Sequence, residues 1–149
     1  MIHIESSLHL QPVKTDLIER AALAVLAHQS AVGDLSIVLT DDAQLHRLNR
    51  EYLGVDAPTD VLSFPASETD PETGTPYLGD VLISIPSAEG QAKSAGHPLD
   101  AELQLLVVHG VLHLLGHDHA KPKDKACMWA AQDQVLGGLG LAGLEILES

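Results

Sequence analysis

Apolar and polar residues alternate at the start of the chain, with Ile2 and Ile4 set against His3 and Glu5. This two-residue period predicts a short strand over Ile2–Ser6. The period then lengthens: Leu17, Ile18, Ala21, Val25 and Leu26 recur at helical spacing after Pro12 and predict a helix over Thr15–His28. Gly33 breaks the pattern and Leu35–Leu39 reads as a second strand. Thr40 is placed to cap the next helix, with Asp41 and Asp42 in a first turn where carboxylates favour the dipole. That helix runs through Leu45, Leu48 and Tyr52 to Gly54. Beyond Pro58, Thr59–Phe64 predicts a third strand, closed by Pro65. Residues 66–76 are polar and turn-rich, the composition of an exposed, mobile loop. Tyr77–Ile85 predicts a fourth strand, and a helix follows Pro86 to about Ala95. A long apolar helix begins near Pro98–Asp100, and a last one spans Lys123–Leu136 before a Gly-rich Gly137–Gly143 tail.

Strands and helices alternate early and helices dominate late, which predicts a mixed sheet packed by helices. No repeat or linker divides residues 1–149, so one domain is expected. Aromatic residues make up only 3% of the chain, so its core must rest on Leu, Val, Ile and Ala. No run approaches the length of a membrane span, and the N-terminus lacks a basic segment leading into an apolar one, so no membrane association is expected. The lone Cys127 excludes an internal disulfide and fits a reducing cytoplasm. A net charge of −13 argues against broad nonspecific nucleic-acid binding, which needs a basic footprint. Any polyanionic substrate must then be met locally. Lys121, Lys123 and Lys125 gather three of only eight Lys and Arg residues into one short stretch. A solvated turn is the ordinary reading of such a cluster, but lysines near a helix start oppose its dipole and hint at an anionic ligand.

The chemistry concentrates in one segment. Four of nine histidines fall between His109 and His119. His109 and His113 are four residues apart in an apolar run, which stacks both imidazoles on one face of a buried helix. Gly116 is a natural helix stop, so His119 can return to meet them. A single histidine on an apolar helix is usually a hydrogen-bonded core residue. Several are harder to bury, because each unpaired imidazole costs about 1–3 kcal/mol. Three neutral imidazoles from a helix and its return loop make a site for one divalent metal, zinc above all. A closed structural site with His117, Asp118 or Cys127 as fourth ligand is the alternative to a catalytic one that keeps that position for water.

The spacing H-x-x-x-H-x-x-G-x-x-H also resembles the metzincin protease signature, but Gly110 stands where those enzymes carry their general-base Glu. A peptidase without it would lose about 10²–10⁴ in rate.

Three further segments accompany the histidines: Leu48-Asn49-x-x-Tyr52, Pro58-Thr59-Asp60-Val61-Leu62-Ser63-Phe64-Pro65 and Leu78-Gly79-Asp80-Val81. With His109–His119 and Met128, in this order and spacing, the chain resembles the endoribonuclease YbeY family of bacterial rRNA maturation factors. The resemblance runs from about Leu35 to Met128. It implies an α+β fold with a small mixed sheet and zinc held by His109, His113 and His119. It also implies a single-strand-specific, metal-dependent endoribonuclease in 3′-end maturation of small-subunit (16S) rRNA and ribosome quality control. Implied partners are single-stranded rRNA, the ribosome with a small-subunit ribosomal protein, and an assembly GTPase, in the cytoplasm.

Two positions depart from the family pattern. Many members carry an Arg, implicated in cleavage, after the Tyr of L-N-x-x-Y; here it is Leu53, with Arg50 or Arg47 about one turn earlier as substitutes. His117, often Tyr in relatives, adds an imidazole beside the site. Catalysis would act through a metal-activated water on His109, His113 and His119, with His117 or Asp118 as further proton acceptors. Asp118 is also placed to orient a ligand imidazole. Thr59 and Asp60 read as bracing a turn, Asp80 as structural or ligand-orienting, and Met128 as packing. Competing readings are a zinc-containing, non-catalytic ribosome assembly factor and, further off, a zinc-dependent peptidase or amidohydrolase.

Overall fold

The computed structural model describes residues 1–6 and 14–144. Its elements are β1 (Ile2–Ser6), α1 (Thr15–His28), β2 (Asp34–Thr40), α2 (Asp42–Leu53), β3 (Val61–Pro65), β4 (Tyr77–Ser84), α3 (Ile85–Ala95), α4 (Leu99–Leu114) and α5 (Pro122–Gly138). The expected α+β architecture is present, with four strands and five helices among the described residues.

The sheet order is β1-β2-β4-β3. β2 pairs in parallel with β1 and β4, and β3 runs antiparallel on the edge. Its register sorts the side chains by face. Ile4, Ile37 and Val81 align across the sheet, as do Leu39, Ile83 and Val61, and this row packs under α1, α4 and α5. The alternate row (Val38, Leu82, Leu62 and Phe64) faces Leu45 and Leu48 of α2. α2 therefore lies alone against one face, while the main core and the histidine helix occupy the other.

Several boundaries differ from the sequence reading. Thr40 ends β2, and Asp41 caps α2 instead, its carboxylate accepting from Gln44 N–H at 2.9 Å. β3 starts at Val61 because Thr59 and Asp60 form a joint: Thr59 Oγ1 donates to the Val61 carbonyl, and Asp60 accepts from Gln91 of α3 at 3.0 Å. Ser84 closes β4 and caps α3 through Ser87 N–H. α5 continues through Gly137 and Gly138, which the sequence assigned to a tail. Residues 67–74 are exposed, as expected, with Ala66, Thr75 and Pro76 half-buried, and the segment folds back on itself. Thr69 bridges Pro76, Tyr77 N–H reaches the Glu68 carbonyl at 2.7 Å, and Asp70 accepts from Gly74 and Glu72 N–H.

Candidate metal centre

α4 is buried on almost every side: Leu103, Leu105, Leu106, Val107, Val108, Val111 and Leu112 are at most 1% exposed. A helix with no solvent face must satisfy any polar side chain it carries from within the protein. His109 meets this demand through Nδ1–H, which donates to Gln132 Oε1 of α5 at 3.1 Å. His113 does so through Nδ1–H, which donates to the carbonyl of residue 117 at 2.8 Å. Gly116, at φ 98°, adopts the left-handed turn that brings that carbonyl back over the helix end.

Those two hydrogen bonds fix the chemistry of the other nitrogens. With protons held on Nδ1, both neutral rings turn Nε2 lone pairs toward the same point, and the two Nε2 atoms lie 3.2 Å apart. A cation between the two nitrogens satisfies both lone pairs at that distance. Tetrahedral zinc at about 2.0–2.1 Å from each nitrogen sets neighbouring ligand nitrogens about 3.3–3.4 Å apart. His119 joins from the return loop, its ring centroid 5.4 Å from that of His109 and 5.2 Å from that of His113. One ligand atom from each of the three residues lies within 4.8 Å of the others. The donor set and its spacing fit a divalent ion. Burial is the main cause holding the His113 imidazole below its usual pKa, against the opposing pull of the 117 carbonyl, so the ring is kept in its ligand form.

Trp129 of α5 walls the cluster, with its ring edge-on to His119 at 5.3 Å and to His109 at 5.9 Å. The Lys125 ammonium lies 5.4 Å from the same indole. Lys121 and Lys123 are exposed at the start of α5, directly beyond the return loop.

The other sequence candidates are placed differently. Asp118 is exposed, and its carboxylate accepts from His119 N–H at 2.7 Å, which braces the loop that carries the ligand. The imidazole of His117 donates Nε2–H to Gln29 Oε1 at 2.8 Å, while its carbonyl serves His113. Arg50 and Arg47 are exposed on α2, whose core contacts lie across the sheet from α4, and Arg47 pairs with Gln44 and Glu51. Asp80 accepts from the Tyr77 hydroxyl. Met128 is fully buried in the main core. Gln132 and Gln29 were missed by sequence reasoning. Only the helical spacing of Gln132 to Met128 and Val135 on the buried side of α5 could have singled out a buried amide.

Gly110 explains why the protease carboxylate is absent. It faces the sheet, where a Cβ would stand 2.6 Å from Val81 Cγ1, and its carbonyl accepts from Ser63 Oγ at 2.9 Å. α4 approaches the sheet so closely that a side chain at this position would have to displace Val81.

The family model described as Endoribonuclease YbeY matches residues 3–140. Curated relatives named endoribonuclease YbeY include one from Roseiflexus castenholzii, 47% identical over 137 residues and covering 87% of this chain and 86% of the relative. A second, from Pelotomaculum thermopropionicum, is 44% identical over 144 residues and covers 93% and 95%. A third, from Chloroflexus aggregans, is 48% identical over 137 residues and covers 87% and 90%. A solution structure of a Thermotoga maritima protein matches with a TM-score of 0.59 at 24% identity, covering 94% of this chain and 92% of its own, a likeness of fold. Matched from its first strand to the end of its last helix, the chain belongs to the endoribonuclease YbeY family.

Proposed function

We infer that this chain is a zinc-dependent endoribonuclease that cleaves single-stranded RNA during ribosomal RNA processing. Small-subunit rRNA is its substrate, and it meets that RNA on the assembling ribosome. The observation that carries this reading is the convergence of His109, His113 and His119 within 4.8 Å, in a chain of this family. A divalent ion held there would lower the pKa of a water beside it toward neutrality and polarise a phosphoryl oxygen.

The chain's own residues divide the remaining work. Gln132 and the 117 carbonyl hold protons on Nδ1 of His109 and His113, so both rings offer Nε2. Trp129 limits access of water from the α5 side. The Asp118 carboxylate and the His117 imidazole, both on the loop that carries His119, are the side chains we assign to accept a proton. Lys121, Lys123 and Lys125 supply the local cations that an acidic protein needs to approach a polyanion. An unpaired strand reaches such a site more easily than a duplex, because its backbone can bend past the loop.

The peptidase reading loses its ground at Gly110, where no general base fits. One observation favours a purely binding role: Tyr52, Leu53 and Val55 expose 68%, 53% and 50% of their surfaces at the end of α2. The same experiment separates the two. Metal-loaded protein, freed of contaminating nucleases, should cleave single-stranded rRNA fragments, and His113→Ala should not. Equal cleavage by both would assign the activity to a contaminant and favour the assembly-factor reading.

A further inference from the structure

The polar chain that begins at His113 continues beyond the return loop. His113 Nδ1–H donates to the carbonyl of residue 117, and the His117 imidazole donates Nε2–H to Gln29 Oε1 at 2.8 Å. The Gln29 amide N–H donates to His28 Nδ1 at 2.9 Å, and His28 Nε2–H donates to Gln134 Oε1 of α5 at 2.7 Å. Donor and acceptor roles agree along the series, the amide oxygens accepting from ring N–H groups and His28 Nδ1 accepting from the Gln29 amide, and its far end at His28 and Gln134 is exposed to solvent.

Its anchor is rigid. Gln29 caps the C-terminus of α1, its own N–H bonded to the Val25 carbonyl at 3.0 Å. Ser30 then turns the chain with a φ of 52°, and Ala31 N–H closes on the Leu26 carbonyl at 2.9 Å. The Val25 and Leu26 side chains beneath are buried in the core. The return loop is the opposite case: Gly116 and Asp118 are exposed, with His117 and His119 half-buried between them. Backbone bonds from Gly116 N–H to the His113 carbonyl and from His117 N–H to the Leu112 carbonyl, each 3.0 Å, set the start of that loop on the end of α4, and the His117–Gln29 bond ties it to α1 as well.

We propose that Gln29 is a positioning residue for the metal centre. It latches His117 to the end of α1 so that the 117 carbonyl keeps the proton on His113 Nδ1 and the loop delivers His119. Gln29 touches neither ligand nor substrate and acts through His117. The proposal rests on the metal-binding reading above, and the test below separates the failure of one from the failure of the other.

Zinc affinity is measured by competition with a chromophoric chelator, and the geometry of the site by the visible absorption of the cobalt(II) form. Gln29→Ala should weaken zinc about tenfold, the lower end of the loss seen when a ligand's outer partner is removed, and should shift the cobalt band. Gln29→Glu keeps an oxygen to accept from His117 Nε2–H and should recover affinity to within about threefold of wild type. His117→Ala removes the ring and leaves the carbonyl, so it should match Gln29→Ala, and the double variant should add nothing further. If Gln29→Ala does not fold, His117→Ala decides by the same two readings. Variants that bind zinc as wild type does, with an unchanged cobalt band and only a lower melting temperature, would overturn the latch. Wild-type protein that binds neither ion would remove the metal reading itself.

Discussion

Helices α4 and α2 press against opposite faces of one sheet, and they are built by opposite rules. α2 is two-sided: Leu45 and Asn49 are buried while Arg47, Arg50 and Glu51 face solvent. Its arginines are exposed and its internal ion pair is the exposed Arg47–Glu51 contact, of a kind that adds little to stability, while Asp42 at its start accepts from the Ser84 and Ser87 hydroxyls. α4 buries all but three of its sixteen residues and still carries two imidazoles. There each polar nitrogen has a defined role, set by Gln132, by the 117 carbonyl or by the facing ring. The contrast shows where chemistry can be assigned from structure. A polar group that solvent could satisfy carries little information, whereas a buried one must be explained by its partners.

The comparison can be broken most severely at Gly110. Gly110→Glu would drive a charged side chain into Val81, at a cost of at least about 4 kcal/mol from overpacking and an uncompensated buried charge. Loss of the near-ultraviolet circular dichroism is the expected reading. Ala43→Glu on the exposed side of α2 should change the urea unfolding free energy by less than about 0.5 kcal/mol.

Gln132→Ala tests the partner logic with less disruption. It should weaken zinc about 10–100-fold by chelator competition, because His109 loses the acceptor that holds its tautomer. Arg47→Ala should leave zinc affinity unchanged. Gly110→Ala should cost about 1–2 kcal/mol in urea unfolding, since a clash with a β-branched neighbour in the core exceeds alanine's helical advantage of about 1 kcal/mol. Arg50→Ala should reduce RNA cleavage by less than about threefold, well short of the tenfold that 1.4 kcal/mol of lost phosphate contact would bring. A larger loss would place α2 in the substrate path.

The smallest effect is one of pH. Burial lowers the folded His113 pKa, so the unfolded chain takes up its proton first as pH falls. Stability of the metal-free protein should therefore decline as pH drops through the ordinary imidazole range near 6.5 and level off below the folded pKa. His113→Phe should lack that part of the decline. Identical pH profiles for the two would show that the ring is not held neutral by folding.

Local chemistry made much of this legible from sequence. His109, His113 and the Gly116 stop lie within one turn-and-return, so helical spacing alone brought them together. The strands β1, β2 and β4 were legible because their alternation matches one buried face. What sequence could not supply was long-range. The order β1-β2-β4-β3 depends on pairings far apart in the chain. Arg50 is a substitute for the family Arg by sequence position alone, and the structure places it exposed on α2, whose core contacts lie on the sheet face opposite α4. Gln132 and Gln29 carry no motif, since an amide acquires meaning only from the imidazole it meets. The family's Thr59-Asp60 pair proved to be a joint between β3 and α3, the ordinary reading of those residues.

The central claim is that α4 and its return loop hold one metal ion through three imidazoles, and the X-ray absorption of zinc-loaded protein at the zinc edge tests it most directly. One zinc per chain is expected, with nitrogen scatterers at about 2.0–2.1 Å, the multiple-scattering signature of imidazole rings and no sulfur. Loss of that bound zinc is expected in His113→Ala. A sulfur scatterer near about 2.3 Å, which would bring in Cys127 from the exposed side of α5, would contradict the assignment, as would zinc retained unchanged without His113.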